Sequence, residues 1–327
     1  MQRQRFLSTL LVTSTLVAAS LLSLPARAQQ GVVKILVGYP ARATSDALTR
    51  VNAEHMAVTL KQTMIVENKP GAGGRIANEL VKAAPADGLT LLMTPIATMG
   101  IFPHSYAGQL RYDPLKDFAP VAHLTSFQVG LGVGTQVPAK TLAEYVAWVK
   151  TDPAKNGFYG SAAPGSIPHF FGVMFGRAAG VPMTHVPYKG TAAAMQALAS
   201  GEISALSTVA ADIRTLVQSD RARLLAVAGD RRDPAFANVP TFKELGFDLV
   251  AKPWYALFAP AGTPPAVLQR LSAAAAAAVN DPAVNKRLVE MGLEPTGLGP
   301  DQLAAILKAD HERWGEVIRA SGFKPGD

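Results

Sequence analysis

The 327-residue chain contains no cysteine. Disulfides, thiolate metal sites and a lipid anchor on a cleavage-site cysteine are excluded by that alone. The six histidines, at positions 55, 104, 123, 169, 185 and 311, include no H-E-x-x-H pair or other metal-ligand spacing. No metal and no cofactor is therefore expected. The glycine-rich stretch from Glu67 to Gly74 has neither the Gly-Lys-Ser/Thr ending of a phosphate loop nor the spacing of a dinucleotide fingerprint. Basic residues are scattered, and no cluster of them interleaved with aromatics marks a nucleic-acid face. Past residue 28, prolines, glycines and charges interrupt every apolar run before it reaches the ~20 residues that a bilayer crossing needs.

What is present begins with a leader. Arg3 and Arg5 precede an apolar stretch from Phe6 to Leu24, and Pro25-Ala26-Arg27-Ala28 ends in an A-x-A pattern. This reads as a signal peptide spanning residues 1–28 and cut after Ala28, not as a membrane anchor. The mature chain of 299 residues is longer than one hydrophobic core usually serves, which points to two domains. Three arginines leave with the leader, so the formal charge falls from +7 to +4. A mild positive field favours anionic solutes.

Short β-rich runs alternate with helical patterns: Val32 to Val37 before Thr44 to Leu60, Thr63 to Glu67 before Ile76 to Ala83, then Thr90 to Met93 before a loop. Such alternation predicts an α/β fold with mainly parallel sheets. In the first helix Ala47, Leu48, Val51 and Val58 form a core stripe, and Thr44 or Ser45 is the expected N-cap. A second α/β unit starts after residue 124, where the helix following Ser166 carries Phe170, Phe171, Met174 and Phe175 and stops at Gly180. Those aromatics are read as core. Three helical patterns close the chain, one containing the alanine run 273–278.

Two loops stand out because each follows a strand and opens a helix. The first runs from Gly38 through Tyr39, Pro40, Ala41, Arg42, Ala43, Thr44 and Ser45 to Asp46, and the second from Tyr159 through Ser161, Pro164, Gly165 and Ser166 to His169. Backbone N–H groups and the helix dipole at such a junction favour an anion. Local pattern does not separate a carboxylate cradle from a plainly capped helix start in which Asp46 complements the dipole. The glycine-rich residues 71–74 are expected in a turn that approaches the cleft or the hinge. Ser166 and His169 lie one helical turn apart and are the candidate nucleophile and base. No G-x-S-x-G elbow surrounds them, so no catalytic residue is assigned and a hydrolase is the lesser alternative.

Val66-Glu-Asn-Lys-Pro-Gly-Ala-Gly-Gly, Pro85-Ala-Asp-Gly-Leu-Thr-Leu-Leu-Met and Tyr112-Asp-Pro-Leu-Lys-Asp-Phe occur in this order, ahead of His185-Val-Pro-Tyr-Lys-Gly, Val239-Pro-Thr-Phe-Lys-Glu-Leu-Gly and Ala259-Pro-Ala-Gly-Thr-Pro. The set closely resembles the Bug family of tripartite tricarboxylate transporter-type periplasmic substrate-binding proteins, over nearly the whole mature chain. The resemblance implies a two-domain periplasmic binding protein fold of the Venus-flytrap type, each domain a sheet flanked by helices. Domain 1 is then discontinuous, residues 29–126 plus 254–327, and domain 2 spans 127–253, with hinges near Leu124 to Val129 and Lys252 to Tyr255. It implies a non-enzymatic periplasmic receptor for an organic acid, an acidic amino acid or an aromatic acid. The ligand-binding set would be Tyr39, Arg42, Ala43, Thr44, Ser45, Asp46 and Thr94 on one wall, with Ser161, Pro164, Gly165, Ser166, His169 and Tyr188 on the other. A monomer is expected, working with permease subunits of a tripartite transporter or, alternatively, with a sensor kinase. One departure is visible: Arg42 and Ala43 stand where the family has a glycine pair. Arg42 either adds a bidentate carboxylate contact or points outward, and the outward orientation is the expectation.

Overall fold

The computed structural model describes residues 31–324, and the leader and its cleavage site lie outside them. Eleven strands form two sheets, a six-stranded one in the order β11-β4-β10-β3-β1-β2 and a five-stranded one in the order β7-β6-β8-β5-β9. In the first sheet β1 (Val33–Val37) pairs in parallel with both β2 (Met64–Asn68) and β3 (Thr90–Pro95). The helices α1 (Thr44–Leu60) and α2 (Arg75–Lys82) make the two crossovers. Four of the five β1 residues are buried, as a parallel strand covered on both faces requires.

Beyond β3 the pairing turns antiparallel. β10 (Trp254–Pro260) lies between β3 and β4 (Phe118–Ser126), and β11 (Glu294–Leu298) adds to the far side of β4. In the second sheet β5 (Val129–Gly134) runs antiparallel to β8 (Ala205–Val209) and to β9 (Ala222–Val227). Only β6 (Phe158–Ser161), with β7 (Thr184–Pro187) and β8 at its sides, makes parallel pairs there. The expectation of mainly parallel sheets is thus corrected to two mixed sheets. Parallel pairs join strands within the helix-connected runs β1–β3 and β6–β8, whereas every antiparallel pair includes β4, β5 or β10, the strands beside the crossings.

The two crossings are short and touch. After β4 only Phe127 and Gln128 intervene before β5, and the Phe127 N–H donates to the carbonyl of Pro253, on the return path, at 2.9 Å. The long C-terminal helix, α5 (Pro300–Ser321), braces the return: Trp254 Nε1 donates to Asp310 at 2.8 Å and Arg313 to the Val250 carbonyl at 2.9 Å. α3 (Ile167–Ala179) follows β6, and α4 (Pro265–Asn280) follows β10.

Phe170, Phe171 and Phe175 are fully buried in α3, and the latter two pack edge-on against Phe242. The alanine run sits inside α4, where Ala274, Ala275 and Ala278 are buried in the face against α1. Small side chains there let the two helices approach. Three local expectations need correction. Val58 is 78% exposed, and Met56 completes the buried face of α1 instead. The N-cap of α1 is Ala43, with no side-chain cap. The stretch after β3, expected as a loop, is a π-helical turn, Ala97–Ile101, running into a single α-helical turn.

Candidate functional site

A cavity of about 340 Å³ lies where the crossings meet the loops at the strand ends. Gly73, Ile96, Ala97, Phe102 and Tyr106 line it from the first sheet's side. Phe127 and Pro253 come from the crossings, and Ala163 to Pro168 with Val209 come from the second sheet's side. A larger hollow of about 830 Å³ between Gln136, Trp148 and Glu202 touches neither sequence-predicted loop, so size alone does not pick the site.

Of the sequence-predicted residues, Pro164, Gly165 and Ser166 line this cavity directly. Ser166 caps α3, accepting from the His169 N–H at 3.3 Å while its hydroxyl donates to the Ala163 carbonyl at 2.7 Å. No histidine ring nitrogen faces that hydroxyl. The Gly165 N–H donates to His169 Nδ1 at 3.0 Å, which fixes the neutral tautomer with hydrogen on Nε2. The His185 ring stacks on that of His169 at 3.9 Å, and its Nε2 meets the Ser161 hydroxyl at 2.8 Å. Burial lowers the pKa of His169 to about 4; burial and then the neighbouring His169 lower that of His185 to about 3. Both rings are therefore uncharged at neutral pH. Tyr188 turns away and donates to Glu202 at 2.7 Å.

The chain's end covers this loop. A Cβ on Gly165, whose φ is +70°, would lie 3.0 Å from the Phe323 ring. That ring stands edge-on to His169 at 5.7 Å and to Phe170 at 5.4 Å. Arg177 of α3 also donates to the Ala320 carbonyl of α5.

The first predicted loop stands one layer back from the cavity. Asp46 is buried, and both its oxygens are engaged: Oδ2 accepts from the Arg42 N–H (2.8 Å) and Arg50 Nε (3.1 Å), Oδ1 from Asn68 (2.9 Å) and the far nitrogen of Arg50 (2.9 Å). Burial raises its pKa, but the hydrogen bonds from Arg50, Arg42 and Asn68 outweigh that, and the carboxyl titrates below its ordinary value. Asn68 also donates to the Tyr39 carbonyl at 3.1 Å. The Tyr39 hydroxyl in turn donates to the carbonyl of Gly73, a cavity wall, at 3.0 Å, and burial, then Tyr255 and Tyr112, raise its pKa. Arg42 is exposed at a φ of +69°, so its backbone adopts a glycine-like conformation. Ala43 caps without a side-chain bond, Thr44 is exposed, and Ser45 is buried with its carbonyl accepting from Thr49.

The glycine-rich turn joins this loop to the wall. A Cβ on Gly38 would fall 2.5 Å from Gly74 Cα, so the two loops pack backbone to backbone. Residues 71–74 all have positive φ, which three glycines accommodate and Ala72 tolerates. Behind the π-helical turn, Thr94 is buried against Thr98 (2.6 Å) and Asn78 (3.4 Å). Ile96, Ala97, Phe102, Tyr106, Phe127, Val209 and Pro253 were not found from sequence, because no strand or helix period singles them out. Among the described residues no group of three or more His, Asp or Glu is placed to hold a metal.

The family described as the tripartite tricarboxylate transporter family receptor matches residues 48–323. A Cupriavidus necator relative, the UPF0065 protein in the gbd 5′ region, is 33% identical over 99% of this chain and 99% of its own length. Two solved Rhodopseudomonas palustris structures are similar: MatC with bound malate (31% identity, TM-score 0.72, covering 88% of this chain and 98% of that one) and Rpa4515 with adipate (29%, 0.77, 89% and 97%). The family and its structural neighbours are substrate-binding proteins, not enzymes, with the two-domain periplasmic binding protein fold. This chain belongs to the tripartite tricarboxylate transporter receptor family, in which the Bug proteins are its relatives.

Proposed function

We propose that this protein is a periplasmic receptor that encloses a small carboxylate-bearing solute between two lobes and presents it to the membrane subunits of a tripartite tricarboxylate-type transporter. The observation that carries the reading is the cavity whose walls come from loops of both sheets and from both crossings. The relatives solved with malate and adipate support a carboxylate as the guest. On this reading the leader 1–28 is removed after Ala28. Residues 29–126 with 254–327 form one lobe, 127–253 form the other, and the paired crossings at Phe127 and Pro253 are the hinge.

Direct contacts are then Pro164, Gly165 and Ser166, with Gly73 opposite. Tyr39 and Asp46 act behind them by holding Gly73 and the first loop. His169 and Ser161 hold the second loop. No helix among the described residues is long and apolar enough to cross a membrane.

Mature protein, unfolded and refolded to strip bound solute, should gain thermal stability with at least one organic acid. At a hundredfold excess over Kd the gain is about 2.7 kcal/mol, several degrees in Tm. Ala97→Trp, which fills the cavity, should abolish the shift. Failure of every organic acid to shift the stripped protein would sink the receptor reading.

A further inference from the structure

The two crossings carry different chemistry on their two sides. Phe127 and Pro253 line the cavity, whereas their neighbours Gln128 and Lys252 turn the other way, as successive side chains do along extended chain. There they meet Glu294, the first residue of β11, at the sheet edge that β4 and β10 separate from β3 and the cavity wall. The buried Gln128 amide donates to Glu294 Oε1 at 2.6 Å and to the Arg231 carbonyl at 3.2 Å. Glu294 Oε2 stands 3.8 Å from Lys252 Nζ and 4.0 Å from the Arg231 guanidinium, and Asp230 holds the same lysine at 3.4 Å. Only 11% of the Glu294 side chain is exposed, so water does not readily replace these partners. A charge-assisted bond to a buried amide is of the stronger kind.

In the two-lobe reading Glu294 belongs to the first lobe, whereas Gln128, Asp230, Arg231 and Lys252 belong to the second lobe and its crossings. Beside this cluster a hollow of about 280 Å³ separates the lobes, with Arg231 and Asp233 to Ala235 on one side and Asn285, Val289 and Glu294 on the other. The hollow and the cavity are built from different residues. A hinge between two such spaces works as a lever. Rotation that narrows the cavity widens the hollow behind it and draws Glu294 away from the second lobe. The ties that Glu294 makes therefore oppose closure.

We infer that Glu294 is an ionic clasp across the back of the hinge that holds the cavity open, so that solute affinity is set partly by a residue that touches no solute. Closure must break the clasp, and the apparent affinity is reduced by the fraction of protein that is closed. The inference rests on the two-lobe part of the receptor reading.

The chain has no cysteine, so Gln109→Cys on the first lobe and Lys189→Cys on the second, both exposed beside the cavity loops, take spin labels at two sites only. Distances between the labels in the stripped, refolded mature protein report the ratio of closed to open lobes without any solute. Glu294→Gln, which keeps the shape and removes the charge, should raise that ratio about threefold. Val289→Trp places bulk at a half-exposed position lining the hollow and should raise the ratio as well, by wedging the back apart. Malate or adipate, whichever binds, should bind about threefold more tightly to each variant. Thermal melts show that both variants fold. An unchanged ratio in both folded variants, or a shift of Glu294→Gln towards the open form, overturns the clasp and leaves the receptor reading standing. A raised ratio in a protein that no organic acid stabilises supports the clasp and sinks the receptor reading.

Discussion

The two walls of the cleft are held by opposite chemistry. Behind the first, one buried carboxylate, Asp46, gathers Arg50, Asn68 and the Arg42 N–H, and Tyr39 relays that frame to Gly73. Behind the second, two neutral stacked histidines, a serine hydroxyl and the Phe323 ring hold residues 161–166 without any ion pair. A charge-held loop has one indispensable group. A loop held by neutral packing spreads the load over several weak contacts, and it fails when any of them acquires a charge.

The largest break in that contrast is Asp46→Ala. It leaves Asn68 and the Arg42 N–H without their acceptor, while the half-exposed Arg50 can turn to water. A loss of about 2–3 kcal/mol in urea unfolding is expected. A loss under about 0.5 kcal/mol would mean that the frame does not depend on this carboxylate.

Acid separates the walls next. His169 and His185 have folded pKa values, about 4 and about 3, below the unfolded value near 6.5. The unfolded chain therefore binds more protons as pH falls below 6.5, and the stability from these neutral rings is lost as pH drops towards 4. Asp46, whose folded pKa is depressed, contributes stability that is present above its unfolded value near 3.9 and is lost only below it. Amide exchange at pH 5 against pH 7, corrected for intrinsic rates, should accelerate opening in 161–170 and spare 42–50. The readout must be local, because His123, which burial lowers to about 4, titrates in the same window within the first sheet. Equal acceleration in both loops would refute the contrast.

Phe323→Ala should cost about 1 kcal/mol and weaken solute binding, by loosening the Gly165 turn; Phe323→Tyr, which keeps the ring, should restore binding. Unchanged affinity in the alanine variant would reduce the C-terminal cover to packing alone. The smallest effect belongs to Arg42→Gly. Relief of the left-handed strain and the extra freedom of the unfolded glycine roughly cancel, leaving stability within about 0.5 kcal/mol. Affinity should not change, since the residue is exposed and lines no part of the cavity; a clear loss would bring Arg42 back as a solute contact.

Sequence reading located both loops because a strand, a loop of small and polar residues and an apolar helix lie together in a few dozen residues. It placed Ser166 as a cap correctly for the same local reason. What it missed is tertiary. The partners of Asp46 and Gly165, namely Asn68 and Phe323, are named by no local pattern. Neither are the antiparallel neighbours of β10 or the existence of β11. Phe127 and Val209 read as ordinary apolar residues until the crossings bring them to one cavity. At α1 a side-chain cap was expected where the helix uses none, because Asp46 in the first turn ties back to the Arg42 N–H instead.

The position of β10 has a consequence for the order in which the protein can be built. Delivered N-terminus first, residues 33–126 carry β3 and β4 with a strand-wide gap between them, since the strand that fills it is Trp254–Pro260. The five-stranded sheet needs nothing outside residues 129–227. The later half of the fold is therefore free to mature first, while the earlier half waits with two open edges of the kind that invite mispairing. Pulse-labelled refolding should protect β5, β8 and β9 before β3 and β4, and the reverse order would show that the gap closes by another route. A chain wired in this way can close its six-stranded sheet only once residues 254–298 have arrived, whichever end is delivered first.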